Sequence, residues 1–338
     1  MVRIILEEHK LDPNGDIILV LDQSSDGNAG KTHNVQVSSK HLMLASPVFQ
    51  TMLAGSFKEG TILRSAGSLI LPLPEDDSKA LTILLNIIHG RIKQLPATLT
   101  ADRLTKVVIL IHKYQFQNVT GILTDTWFER VASTSWKQED DFDIEEFSWR
   151  KIFVTWVLKR SEEFKDATRE AIRELRAKDE FDQSEYAEPA KLHLPQSITD
   201  DIFDRRQKAL TYALALIERL HTNYTHSVFK CGPGCDTLLL GALSRIQMEI
   251  ARIEESPAPL SEWSYNSIVH MVLDKQWSIN FRTHCRDCEM NSPVKRVGGG
   301  NARSRKLCGN RSTVEGFVAA LDEGPDPLEL EAVSTSLV

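Results

Sequence analysis

Asn34-Val35-Gln36-Val37-Ser38-Ser39-Lys40-His41-Leu42-Met43-Leu44-Ala45-Ser46-Pro47-Val48-Phe49-Gln50-Thr51-Met52-Leu53 is the stretch on which the fold turns. Asn34 to Val37 alternates polar and apolar residues, as a short strand with one buried face does. Ser38 or Ser39 then offers a side-chain oxygen to the orphan N–H groups of a helix start. The helix is expected from about Lys40 to Leu53, with Leu42, Phe49, Met52 and Leu53 on its buried face. Pro47 lacks the N–H of an uninterrupted helix, so it is expected to tighten a junction between two helical pieces.

On the N-terminal side, Val2 to Glu8 and Asp16 to Leu21 are β-rich runs flanking Leu11-Asp12-Pro13-Asn14-Gly15. Proline fixes φ and glycine permits positive φ, which predicts a hairpin joining the two runs. On the C-terminal side, Leu69-Ile70-Leu71 reads as a strand ended by Pro72 and Pro74. Asp76 or Asp77 can cap a helix whose apolar residues, Ala80 to Ile88, cover most of its circumference, so it belongs in a core. Leu104, Val107, Val108, Ile111 and Tyr114 follow the 3.6-residue period of a second helix. Short strands followed by a helical cluster make an α+β fold.

The whole chain has 338 residues, 40 Lys+Arg against 47 Asp+Glu, a net charge of −7 and a 41% hydrophobic fraction. At roughly 100–200 residues per domain this is about two domains, each able to bury a core without staples. No run approaches the roughly 18 apolar residues of a spanning helix, so no membrane partner is expected. The start, Met1 to Glu8, turns acidic too soon for a secretory leader, and an intracellular location, cytoplasm or nucleus, is expected. The acidic balance argues against a nucleic-acid coat.

Residues 133–146 are polar and acidic and read as a linker between an N-terminal domain, 1–132, and an α-helical domain, 147–290. In the latter, Leu239, Leu243, Ile246, Ile250 and Ile253 step by four and three, the cleanest helical stripe in the chain. Residues 291–338 read as a mobile basic, then acidic, tail, with Gly298-Gly299-Gly300 inside the basic part.

The N-terminal half resembles a BTB/POZ domain. The likeness rests on Gly15 to Leu21, Val37 to Phe49 and Met52 to Gly60, and it extends over about residues 12 to 130. Leu71-Pro72-Leu73-Pro74-Glu75-Asp76-Asp77, Ile87-Ile88-His89-Gly90 and His112-Lys113-Tyr114-Gln115 fit the form common in filamentous-fungal proteins. The resemblance implies a helical cluster flanked by a small sheet, and a domain that binds other proteins. Phe57-Lys58-Glu59 resembles the hydrophobic-x-Glu signature by which some such domains engage a cullin scaffold of ubiquitin ligases. Phe49, Met52, Phe57 and Glu59 are accordingly the expected partner-binding residues. Residues 2–21 suit a local hairpin better than an exchanged segment, which leaves homo-oligomer formation open.

Candidate chemistry is sparse. Gly30-Lys31-Thr32 imitates the end of a phosphate loop but leads into a strand and lacks the first glycine, where Ser25 stands. His89 and His112, on apolar helices, are expected to be structural imidazoles. No nucleotide or redox cofactor and no catalytic residue is expected, which makes the chain a non-enzymatic interaction protein. Cys231-Gly-Pro-Gly-Cys235 and His284-Cys285-Arg286-Asp287-Cys288 present two thiol pairs. Cys231, Cys235, Cys285 and Cys288, with His284 as a substitute, admit a shared structural zinc, unrelated reduced thiols or a redox pair. Two further readings stay open: an adaptor for a cullin-type ligase, and a transcriptional or chromatin regulator using the basic run Lys295 to Lys306.

Overall fold

The computed structural model describes residues 7–22, 32–134, 136, 144–176, 192–226, 233–254, 263–276, 311–324, 326 and 328. The protein is α+β and mostly helical, with one four-stranded sheet among the described residues. It divides into two compact units, Met1–Asp143 with Arg150–Ser161, and Ile144–Trp149 with Glu162–Val338.

The sheet of the first unit consists of β1 (Glu7–Lys10), β2 (Ile17–Asp22), β3 (Thr32–Val37) and β4 (Leu69–Leu73), in the order β1-β3-β2-β4. The expected hairpin does not form. Strand β3 lies between the first two strands, parallel to β1 and antiparallel to β2. The Pro13–Gly15 turn signal is real, but the connection spans the width of a strand. Gln36 is what it wraps around. The Gln36 carbonyl accepts from the N–H groups of Leu11 and Asp12 at 3.0 and 3.3 Å, and its side-chain amide donates to the Gly15 carbonyl at 2.9 Å.

Alternation sorts the sheet's faces. Ile17, Leu19, Leu21, Val35, Val37, Leu69 and Leu71 are buried, while Ile18 and Ile70, paired in register, face outward. The Leu69 N–H donates to the Asp16 carbonyl, which fixes the phase of the parallel β2–β4 ladder. Leu69, Leu71 and Leu73 therefore turn their peptide groups toward β2, and Ile70 and Pro72 turn theirs outward. Pro72, which has no N–H, thus removes a donor from that edge and makes it a poorer template for strand addition.

The single helix expected from Lys40 to Leu53 is two, α1 (Ser39–Ala45) and α2 (Pro47–Ala54), with Pro47 at the first position of the second. Ser46 makes the break. Its backbone is extended, and its buried hydroxyl accepts from the Phe49 N–H at 3.0 Å and donates to the Tyr114 carbonyl at 2.6 Å. The capping bond and proline's preset φ outweigh the one helical bond lost. Helices α3 (Lys58–Ala66), α4 (Ser78–Ile88), α5 (Ala101–Tyr114) and α6 (Gln117–Thr134) follow. Asp77 is the cap of α4, accepting from the Ala80 N–H at 2.8 Å. Buried Asp76 instead accepts from the Lys113 ammonium at 2.6 Å and from the Tyr114 hydroxyl, tying the start of α4 to the end of α5. Burial first, and then the Asp76 charge, push the Tyr114 phenol well above its usual range.

His89, at the end of α4, holds the start of α1. Its Nδ1 donates to the Leu85 carbonyl at 2.9 Å, and its Nε2 accepts from the Ser38 N–H at 3.2 Å. These bonds require the neutral ring. Burial lowers its pKa below the ordinary 6.5, and the neighbouring His41 ring, stacked at 4.9 Å, acts in the same direction. For Asp16, burial acts upward, but hydrogen bonds from the Ser39 hydroxyl and N–H outweigh it and hold the carboxyl below its ordinary 3.8. Both depressed values carry the same sign. The unfolded chain binds the proton more readily, so the stability His89 provides is complete above pH 6.5 and is lost as the pH falls through its lower folded value. The Asp16 contribution is lost only in stronger acid. Urea midpoints of the wild type are expected to drop as the pH is lowered below about 6.5, and those of His89→Gln to be lower at pH 8 but flatter over the same range. Parallel curves would remove His89 as the titrating group.

The second unit takes the first turns of α7 (Ile144–Val157), with α8 (Ser161–Glu174), α9 (Gln196–His226), α10 (Pro233–Glu254), α11 (Tyr265–Gln276) and α12 (Arg311–Glu323). The stripe Leu239, Leu243, Ile246 and Ile253 belongs to one buried cluster with Leu210, Ile217 and Leu220 of α9. Two sequence boundaries need correction. The linker read over 133–146 carries helix at both ends, since α6 runs through Thr134 and α7 starts at Ile144, and glutamate is a good helix former. Residues 135 and 137–143 lie outside the described residues. The tail read as mobile contains α12, whose Phe317 and Leu321 are buried, and Tyr265 donates to the Leu321 carbonyl at 2.8 Å. Val314, Phe317, Val318 and Leu321 recur at helical spacing, a signal hidden by the glycine-rich run before it.

Candidate functional site

An open groove of about 540 Å³ lies on the first unit. Helix α2 contributes Pro47, Val48, Thr51 and Met52 to it; the entry to α3 contributes Phe57 and Glu59. Gln115, which caps the end of α5, completes it. The size is within the ~300–1,000 Å³ of ligand-binding clefts.

Each side chain is placed by the local fold. Pro47 starts α2, so Val48, Thr51 and Met52 fall on adjoining turns of one face. Gly60 allows α3 to meet the end of α2: a Cβ there would sit 2.5 Å from the Leu53 carbonyl oxygen. That approach holds Phe57, 56% exposed, beside Met52. Glu59 lies in the first turn of α3, where the helix dipole favours a carboxylate. Arg64, one turn on, donates to the carbonyls of Ala54 and Gly55 and fixes the α2–α3 corner. Thr51 commits its hydroxyl to the Pro47 carbonyl at 2.9 Å. The lining is thus apolar, with one carboxylate and one amide.

Of the four expected contact residues, Met52, Phe57 and Glu59 meet at this groove. Phe49 does not line it. It is fully buried, with ring centroids 4.8 Å from Tyr114 and 6.1 Å from Phe116, and is a core residue beneath α2. The helical period puts Phe49 and Met52 on neighbouring positions about 60° apart around α2, so Phe49 points into the core while Met52 sits at the rim. Gln115 and Val48 were missed as groove residues. The available signal was a polar residue set between two aromatics, Tyr114 and Phe116, at a helix end.

Among the thiol ligands, Cys235 is buried near the start of α10. Cys231, His284, Cys285 and Cys288 lie outside the described residues, as does the whole basic run Lys295 to Lys306. Among the described residues no group of three or more His, Cys, Asp or Glu side chains could hold a metal, and no helix is long and apolar enough to cross a membrane. The second unit has a cleft of about 510 Å³ at α9. Its Lys208 pairs with Asp204 at 2.6 Å, and its Arg205 donates to the Asp326 carbonyl.

Compared with known proteins, the chain matches no family model and no curated protein.

Proposed function

We propose that this is a non-enzymatic interaction protein whose N-terminal unit, a domain of the BTB/POZ kind, docks a partner protein in the α2–α3–α5 groove. One observation carries the reading: Met52, Phe57 and Glu59, on the corner from α2 to α3, line one open apolar groove that Gln115 of the distant α5 end completes. Burial of a few anchors in such a groove is the usual source of binding energy between proteins. The groove's polar groups, a carboxylate and an amide beside a committed hydroxyl, suit docking. The sheet packed under a helical cluster, and the ordered series of sequence segments, support the domain type.

A second reading, adaptor for a cullin-type ubiquitin ligase, draws on the hydrophobic-x-Glu pair, since Phe57 is exposed and Glu59 lies next to it on the groove. Titration of a purified cullin N-terminal region separates the two, because binding abolished by Phe57→Asp selects the adaptor.

For the general reading, proteins captured by the full chain are identified and each is titrated against wild type, Met52→Asp and Phe57→Asp. Both variants should keep the wild-type helical signal. An affinity loss of at least about tenfold is expected, the size of one or two truncated anchors. Partners indifferent to both variants would remove the groove from the function.

A further inference from the structure

Gln115 stands in a conformation that its side chain makes costly. Its φ is 55° and ψ 50°, the left-handed region that glycine adopts freely and a residue with a Cβ does not. The position requires that geometry. The Gln115 N–H closes α5 on the carbonyls of His112 and Ile111, and the next residue, Phe116, must turn back into the core with Tyr114. Glycine is the residue such a helix end favours. Lys159 and His193 share the backbone region, and Gln115 is the one of the three on the groove. Its amide makes no hydrogen bond within the fold among the described residues, and Glu59 makes no ion pair there. With Thr51 committed to Pro47, these are the two uncommitted polar groups of the lining.

Resting on the groove reading above, we propose that Gln115 is a specificity residue of this groove, and that the occupant is a peptide segment of a partner protein with a bulky apolar side chain close to a lysine or arginine. The apolar residue fills the space between Val48, Met52 and Phe57. The cation meets the Glu59 carboxylate, an acceptor with no donor of its own. The Gln115 amide, donor and acceptor at once, pairs with a peptide group of the segment; its left-handed backbone sets the direction of the Cα–Cβ bond, so only the side-chain torsions are left to be ordered on binding. A site that hydrogen-bonds its ligand also rejects segments that leave the amide unpaired. Backbone strain kept at a binding surface fits this use.

The test pans a displayed library of random peptides of about twelve residues against the full chain, then titrates the selected peptides. Enrichment of an apolar residue within about four positions of Lys or Arg is expected, with binding lost in Phe57→Asp. Glu59→Lys should shift the selected charge to Asp or Glu. Gln115→Gly should weaken the same peptides about five- to tenfold, one hydrogen bond's worth, while Tm stays level or rises. A merely structural glutamine would give the higher Tm and unchanged affinity, and that result overturns the role of Gln115 while leaving the groove. Peptides indifferent to Phe57→Asp, or no enrichment at all, overturn the groove and this proposal together. Selected peptides with no basic residue overturn the assigned occupant.

Discussion

Replacing Phe49 with alanine is expected to destabilise the first unit by about 3–5 kcal/mol, the range for truncating a fully buried phenylalanine. The ring is inaccessible to solvent and stacks on Tyr114 and Phe116. Its removal forfeits the transfer free energy and the aromatic contacts, the latter about 0.5–1.5 kcal/mol, and leaves a cavity that α2 cannot close while Ser46 is bonded to the Tyr114 carbonyl. Because the chain has two units, a melting temperature reports the loss but does not locate it. Amide exchange resolved to α2 and α5 does, and protection there should fall toward that of the groove rim while α9 and α10 are unchanged. A variant with wild-type protection that nonetheless loses its partner would return Phe49 to the contact surface.

Gly15→Ala should cost about 3 kcal/mol, the upper part of the overpacking range. The added Cβ would sit 2.5 Å from the Val37 carbonyl oxygen and 2.7 Å from its carbon, with the Asp12 oxygen at 3.0 Å. All three are backbone atoms, so no side chain can swing aside. Relief requires the β1–β2 connection to lift from the end of β3, breaking the Gln36 bonds to Gly15 and Leu11. Val37 leads directly into Ser38 and Ser39, held by His89 and Asp16, so the strain reaches the start of α1. The check is the urea midpoint at pH 8 together with exchange in β1 and β3. A change under about 1 kcal/mol would show that the turn yields more easily than its contacts imply.

Much of the first unit was legible because its signals are local. The Val35/Val37 alternation, the proline at the second helix start and the Asp77 cap each act within one turn of chain, and each specifies an element the structure contains. Strand order is not local. Nothing in Leu11 to Asp16 distinguishes a connection between neighbouring strands from one that straddles a third, because the deciding partner, Gln36, lies more than twenty residues away. The groove was legible in part for the same reason. Met52, Phe57 and Glu59 lie on one continuous corner, whereas Gln115 reaches them only through the packing of α2 on α5. Phe49 was misjudged because periodicity gives a buried face without saying which of its residues lies at the rim.

The insertion of β3 between the first two strands has a consequence for biosynthesis. Glu7–Lys10 pairs with His33–Gln36, so on the ribosome the first strand emerges without a partner and waits for the third. At ~5–20 residues per second the wait is on the order of seconds, long against the microseconds in which a hairpin closes. β2 and β3 can zip first, and the leading segment then docks on an edge already formed. Its late docking makes Glu7–Lys10 the strand of this sheet that chaperones and proteases meet longest.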